Sequence, residues 1–156
     1  TVYLVPHEIE PTNCGTHDDR LLCSMVAGAA ADPRIVPVLT QASAEVYRAA
    51  LTQLDVVIGS RYHALLAALA GGRPTLALSW SHKYLELLAL FGLEDFAVGH
   101  DELATPELLE RVDRVLDERT LLAARVAGAL PDVQRRVDAV LDEACTVLTS
   151  GRGAIA

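Results

Sequence analysis

The sequence is poor in basic residues and has no long apolar segment. Of its 156 residues, 13 are Lys or Arg and 21 are Asp or Glu, which gives a formal net charge of -8. A nucleic-acid-binding surface usually needs an excess of basic residues, so this balance argues against a nucleic-acid partner but allows a local anion site. No apolar run approaches the roughly 18 residues of a membrane-spanning helix, and no signal-peptide pattern is found, so we predict neither.

Familiar motifs for metals and nucleotides are also missing. The three cysteines, Cys14, Cys23 and Cys145, lack the Cys or His spacing of a zinc site, so no metal is predicted. Their odd number and scattered positions indicate reduced thiols and a cytoplasmic protein. There is no GxGxxG motif and no Walker loop. A phosphate-binding glycine loop precedes a helix, whereas Gly71-Gly72 follows a predicted helix and ends it.

Short apolar runs alternate with amphipathic segments along the chain. The first run is apolar throughout and predicts a buried strand, whereas a proline in the second favours a sheet edge or a bulge. Helical periodicity fills the intervals between the runs. We therefore predict an α/β fold, a Rossmann-like, doubly wound, mostly parallel sheet flanked by helices. The predicted strands are Val2–Val5, Ile35–Leu39 (with Pro37), Val56–Ile58, Thr75–Ser79 and Phe96–Val98.

The domain organisation follows from the same pattern. Residues 1–150 are expected to form a single domain, and residues 151–156 a disordered tail. Residues 121–130 and 133–148 predict two helices separated by Pro131. Because the chain begins at Thr1 and enters a strand almost at once, we expect it to be part of a longer protein.

The stretch from Asp55 to Leu78 predicts a strand, a helix and a second strand. Ser60 stands where a helix would be capped, and Arg61 and His63 follow in the predicted first turn. The helix is apolar nearly all round, which favours burial on more than one face. After the second strand, a loop containing His82 and Lys83 precedes another helix.

The predicted loops after strands one, three and four hold an unusual share of cationic and titratable side chains. Because parallel strands end at one edge of a sheet, and ligands of open α/β sheets bind at that edge, we predict a small-anion site there. A planar guanidinium suits a carboxylate or phosphate, and a histidine can transfer a proton near neutral pH. These side chains are His7, Glu8, His17, Arg61, His63, His82 and Lys83. The predicted site residues are His7, Ser60, Arg61, His63, His82 and Lys83.

Two segments of the sequence resemble the polysaccharide pyruvyl transferase family. They are DVVIGSRYHAL, beginning at Asp55, and AGGRPTLAL, beginning at Ala70; a lysine, Lys83, and a helix ending in Phe91-Gly92-Leu93 follow them. That family has an apolar strand, a glycine, Arg-Leu-His, an Ala-rich helix, Gly-x-Pro, a strand and a loop lysine. Pro6-His7 and Asp18-Asp19 also resemble its first strand and helix, so the resemblance covers roughly residues 1 to 118.

The resemblance implies a GT-B-like enzyme of two Rossmann-like domains, of which this chain is the C-terminal one. Such an enzyme transfers the pyruvyl group of phosphoenolpyruvate to a sugar of a polysaccharide or its precursor, and needs no cofactor. By position, Arg61 would hold the donor's anionic groups, His63 would act as general acid or anion ligand, and Lys83 would be an auxiliary anion contact. The acceptor could be lipid-linked at a membrane surface, and the enzyme could be a homodimer.

Two departures from the family pattern change what we expect. Tyr62 replaces the leucine of Arg-Leu-His, which we interpret as a tolerated change at a packing position. The N-terminal domain, which would supply the acceptor pocket and part of the donor site, is not in this sequence, so we expect little or no turnover from the chain alone. Two alternatives stay open because they fit the same fold: a GT-B glycosyltransferase that uses a nucleotide-sugar, and a non-catalytic binding module.

Overall fold

The structure, a computed structural model, describes residues 1–9, 18–104 and 106–150. These residues belong to two units, Thr1–Tyr47 and Arg48–Ala156. Each unit contains parallel strands with helices between them, so the predicted α/β, Rossmann-like class is confirmed. The five strands pair in two sheets, one of two strands and one of three. The segments at 10–17, 105 and 151–156, including the predicted tail, lie outside the described residues.

The first unit is a parallel β-α-β arrangement. Its strands pair with Val2 opposite Ile35 and Leu4 opposite Pro37. A two-stranded sheet has only edge strands, so the predicted edge position of Pro37 is confirmed. The prediction of a buried first strand is wrong, since Val2 and Tyr3 are both about half exposed. The elements are β1 (Val2–Leu4), α1 (Asp19–Ala30) and β2 (Ile35–Pro37), followed by α2 (Ala44–Leu51), which ends in the second unit.

The second unit is built on the sheet β3-β4-β5, in which all pairs are parallel. The central strand has the residues of the predicted fourth strand and is the most buried, with Leu76 and Ala77 fully inaccessible. Helices α3, α4, α5 and α6 complete the core with Leu65, Leu88, Val115 and Val126 among others. The elements are β3 (Val57–Gly59), α3 (Tyr62–Ala70), β4 (Thr75–Ser79), α4 (Lys83–Ala89), β5 (Ala97–Gly99), α5 (Pro106–Asp117) and α6 (Arg119–Ser150).

Helix α3 is buried over most of its circumference, as its apolar sequence predicts. Only the row formed by His63, Leu66 and Ala70, at helical spacing, is exposed. The helix ends as predicted at the glycine pair: Gly72 adopts φ +76°, and the Arg73 N–H donates to the carbonyl of Ala68 at 2.9 Å. A left-handed glycine closing such a bond is the usual end of a helix that must turn into a strand. The fold thus leaves one exposed row on this helix, and His63 begins it.

The C-terminal residues form one helix where two were predicted. Helix α6 runs through Pro131 without a break, and Leu122 and Val126 in its first half are fully buried. Pro131 removes one N–H donor and crowds the carbonyl four residues earlier, which predicts a break, but packing of the first half fixes the helix direction before the proline is reached. None of the helices in the described ranges is long and apolar enough to cross a membrane.

Replacing Pro131 by alanine should strengthen the second half of this helix. A proline in a helix interior is unfavourable by about 3 kcal/mol relative to alanine, so removing it should shift residues 132–150 toward the helical state. Amide hydrogen exchange should slow across those residues. A control substitution of exposed Gln134 by alanine should have a much smaller effect. Unchanged protection in the Pro131→Ala variant would contradict a strained continuous helix.

Candidate functional site

The junction between β3 and α3 places Arg61 and His63 at the C-terminal edge of the sheet. Strand β3 ends at Gly59, and Arg61 is the N-cap, with extended backbone angles of φ -93° and ψ 112°. Its carbonyl accepts the N–H groups of Ala64 and Leu65 at 3.0 and 3.2 Å. The predicted cap at Ser60 is therefore wrong, because the first helical hydrogen bonds go to the carbonyl one residue later. Arg61 precedes the first turn, and His63 is the second residue of the helix.

The next junction, between β4 and α4, brings the lysine to the same edge. His82 is the N-cap and Lys83 the first residue of the helix, so the prediction that Lys83 lies in the loop is corrected. Strands β3 and β4 are hydrogen-bonded neighbours with parallel direction, which is why both junctions open on one side. The structure thus brings Arg61, His63, His82 and Lys83 to one sheet edge; the roles assigned to them stay predictions.

Three aromatic rings, Tyr62, Trp80 and Tyr84, form a cluster between the two junctions. Tyr62 and Trp80 each meet Tyr84 in an edge-to-face arrangement, with ring centroids 5.8 and 5.9 Å apart. The Nζ atom of Lys83, which belongs to the chain's only lysine, lies 4.5 Å from the Trp80 ring centroid and 5.2 Å from that of Tyr62. Cation–π attraction at these distances favours the ammonium position above the rings.

Tyr62 also connects this aromatic cluster to His63. The two rings are edge-to-face with centroids 5.9 Å apart. A leucine at this position would supply apolar volume but neither the ring quadrupole that attracts Lys83 nor the edge-to-face contact. Tyr62 is therefore more than the tolerated packing change that the sequence suggested, since its ring contacts both the histidine and the lysine of the candidate site.

Tyr84 ties the two junctions together through a hydrogen bond. Its ring is buried, at 1% exposure, and its hydroxyl donates to the carbonyl of Ser60 at 2.6 Å. The sequence predicted a substrate contact by Ser60. In the structure the main-chain carbonyl of Ser60 accepts the hydrogen bond from Tyr84. This bond fixes the turn before α3 relative to the start of α4. It therefore fixes the backbone of Arg61 relative to that of Lys83.

Replacing Tyr84 by phenylalanine should cost about 1 kcal/mol of unfolding free energy, the usual loss for one neutral hydrogen bond. The ring and its packing stay, so the change isolates the hydroxyl. Urea unfolding monitored by circular dichroism measures the loss. Replacing exposed Tyr3 by phenylalanine is the matched control and should leave the unfolding midpoint unchanged; a Tyr84→Phe variant equal to that control would show that the bond does not stabilise the junction.

His100 lies at this sheet edge but is not among the predicted site residues. This residue directly follows β5, whose strand pairs with β4 through Ser79 and Gly99, so its backbone lies at the same C-terminal edge as the two junctions. The signal was present in the sequence, because His100 comes two residues after the predicted fifth strand. The predicted site comprised only the loops after strands one, three and four, so it left out the residue after strand five.

His7 lies in the other unit, after β1. Its backbone N–H and that of Glu8 donate to the carboxylate of Asp19 at 3.1 and 2.9 Å, which anchors this loop to the start of α1. Asp18 caps the helix by accepting the Arg20 N–H at 2.9 Å. Because β1 pairs with β2 in a separate sheet, the expectation of one shared edge is confirmed for the third and fourth strands only.

Metal ligation and reactive thiols are the remaining kinds of site to consider within the described ranges. No group of three or more His, Cys, Asp or Glu side chains in this part of the chain could hold a metal ion. Cys23 and Cys145 are free thiols, and burial raises the pKa of Cys23, which lowers the fraction of its reactive thiolate at neutral pH. Cys14 lies outside the described residues.

Fold and site together define an α/β protein whose sheet edge groups an arginine, a lysine and histidines. A family model described as polysaccharide pyruvyl transferase matches residues 2–82, just over half of the chain. The chain belongs to the polysaccharide pyruvyl transferase family. The match includes Arg61, His63 and His82 and ends one residue before Lys83, so the resemblance to the end at residue 118 stays a prediction. No curated protein and no solved structure matches the chain.

Proposed function

We propose that this chain supplies the donor-binding wall of a pyruvyl transferase that moves the pyruvyl group of phosphoenolpyruvate to a sugar. The observation that supports this most directly is the grouping of Arg61, His63 and Lys83 at two adjacent strand–helix junctions in a member of this family. The acceptor would be a sugar of a polysaccharide or of its precursor, and the product a pyruvate ketal.

Phosphoenolpyruvate has two anionic groups, a carboxylate and a phosphate, close together. Arg61 can bind either one through two parallel N–H groups, which a lysine cannot do. The first-turn N–H groups of α3 lack acceptors within the helix and favour an anion at the same place. Lys83, held above the aromatic cluster, offers a point charge for the second group.

His63 would transfer the proton that starts the reaction. In the proposed step the imidazolium protonates the methylene carbon of the donor, and C2 becomes electrophilic. An acceptor hydroxyl bonds to C2 and loses its proton, which restores the imidazolium. The C2–O bond to phosphate breaks, and a second hydroxyl of the sugar bonds to C2 and gives its proton to the released phosphate, which closes the ketal. A histidine is suited to this work because its ordinary pKa lies near neutrality.

The acceptor side is supported by Trp80. Its side chain is two-thirds exposed beside Lys83, an unusual position for so large an apolar ring. The apolar face of a sugar ring can pack against such a surface, with its hydroxyls directed toward polar neighbours. We assign Trp80 to the acceptor, and His7, His82 and Ser60 to further substrate contacts. A lipid-linked acceptor at a membrane surface, a cytoplasmic location and a reaction without metal or cofactor belong to the same proposal.

Ligand protection against thermal unfolding tests the donor class. Phosphoenolpyruvate should raise the melting temperature of the chain, since a ligand at 100 times its dissociation constant stabilises by about 2.7 kcal/mol. UDP-glucose and GDP-mannose should give no comparable shift. Protection by a nucleotide-sugar alone would contradict the proposal and favour a glycosyltransferase.

A second assay tests what the chain can do alone. We expect little or no phosphate release from phosphoenolpyruvate and a sugar acceptor, because the other domain of a two-domain enzyme would supply the rest of the acceptor pocket and part of the donor site. Robust turnover by these 156 residues would refute that division of the site. Donor binding without turnover is the expected combination.

A further inference from the structure

The second half of α6 presents an apolar face that nothing in the described part of the chain covers. Residues 134–150 are all exposed, and they span about 25 Å at the rise of an α-helix. On one side lie large apolar residues that soluble proteins rarely leave together in water. Leu130 and Val133 at the start of this face pack against the core, and the rest extends beyond it. The exposed apolar residues are Val137, Val140, Leu141, Val147 and Leu148.

The spacing of this face is that of a coiled-coil seam. Its residues alternate in steps of three and four, the pattern by which two helices pack side by side. An isolated helix of this length is only marginally stable in water, so a partner helix would stabilise it. This seam consists of Leu130, Val133, Val137, Val140, Ala144 and Val147.

Two charged residues beside the seam indicate which partner fits. Arg136 and Glu143 each stand one position before a seam residue and are seven residues apart. Neither side chain forms an ion pair with another residue in the described ranges. In an antiparallel pair of identical helices with Val137 opposite the partner's Val140, Arg136 and the partner's Glu143 lie on the same side of the seam, about 3 Å apart along the helix axis. Two-fold symmetry repeats this ion pair, so one register satisfies four charges.

Other arrangements fit less well. In a parallel pair the position facing Arg136 is the partner's Leu141, which leaves the charge against an apolar side chain. A lipid surface is disfavoured because residues 132–150 contain more acidic than basic side chains, and membrane-surface helices usually have Lys and Arg on the polar face. An open groove of about 320 Å³ between Leu90 and the seam is lined by Val137 and Val140 and is large enough to receive side chains of a partner helix.

We infer that a second copy of this chain covers the seam, as an antiparallel, two-fold symmetric pair of α6 helices joined by reciprocal Arg136–Glu143 ion pairs. This inference does not depend on the proposed donor site, since none of its residues lies at the sheet edge. The homodimer that the sequence left possible would thereby have a specific interface.

The molar mass in solution tests the inference. Light scattering during gel filtration should give twice the 16.7 kDa of one chain. Val140→Asp puts a carboxylate at the centre of the seam and should shift the chain to a single-copy mass, whereas Ala139→Asp adds the same charge on the outer side of the helix and should not. A single-copy mass for the unmodified chain at micromolar concentrations would overturn the inference.

A charge exchange tests the register. Arg136→Glu or Glu143→Arg alone places like charges opposite each other twice and should weaken self-association about tenfold. The double variant restores opposite charges and should recover most of the original affinity, measured by sedimentation equilibrium. Single variants that associate as well as the unmodified chain, or a double variant that is weaker than both, would overturn the antiparallel register. Circular dichroism confirms that each variant keeps its helix content.

Discussion

Replacing His63 by alanine should lower the rate of phosphate release about 100-fold or more in the longer enzyme that the family resemblance implies. A positioned general acid typically contributes about 10²- to 10⁴-fold, and no other proton donor has been assigned to the donor carbon. His63 begins the exposed row of α3, so its removal takes no buried side chain from the core. The loss should therefore appear in the rate and leave the unfolding free energy nearly unchanged.

His63→Gln separates the two roles that the sequence left open for this residue. Glutamine keeps hydrogen-bond donors but cannot exchange a proton near neutral pH. If His63 is the acid, both variants should be equally slow, with donor affinity largely kept. If it is an anion ligand only, His63→Gln should recover much of the rate. Full activity in both variants would remove His63 from the site.

Replacing Arg61 by alanine should weaken phosphoenolpyruvate binding about 10- to 100-fold. A charge-assisted hydrogen bond contributes about 1.5–3 kcal/mol, and each 1.4 kcal/mol corresponds to a tenfold change in affinity. Arg61→Lys should bind with intermediate affinity, because it keeps the positive charge but loses the planar fork. Isothermal titration calorimetry measures all three proteins.

Arg48→Ala is the control for net charge, because Arg48 is also exposed but belongs to α2, which is part of neither junction. It should bind the donor like the unmodified chain. Equal losses in Arg48→Ala and Arg61→Ala would mean that overall charge sets the affinity. No loss in either would exclude Arg61 from donor binding.

The strand–helix–strand unit at residues 57–79 was predictable because local signals and tertiary packing agree there. Strand β4 has the predicted bounds, since an apolar run between Pro74 and Trp80 leaves little choice. The cap at α3 was not predictable in the same way. Ser60 has the better capping side chain, but its carbonyl is taken by the Tyr84 hydroxyl, a contact between residues 24 positions apart.

Other differences have the same origin in distant contacts. Pro131 is a valid signal for a break, yet the helix continues because its first half is fixed by packing on the core. The composition of the first strand predicts burial, although its sheet has two strands within the described residues. The grouping of Lys83 with Tyr62 and Trp80 depends on ring positions that sequence spacing does not reveal.

The most direct test of the central claim, that the sheet edge formed by β3 and β4 binds phosphoenolpyruvate, is the fluorescence of Trp80. It is the only tryptophan of the chain and lies against Lys83, so its emission reports on this edge alone. Titration with phosphoenolpyruvate should change the emission in a saturable manner, and Arg61→Ala should shift the midpoint about 10- to 100-fold higher. An unchanged emission in the presence of calorimetric binding, or a midpoint that Arg61→Ala leaves in place, would contradict the claim.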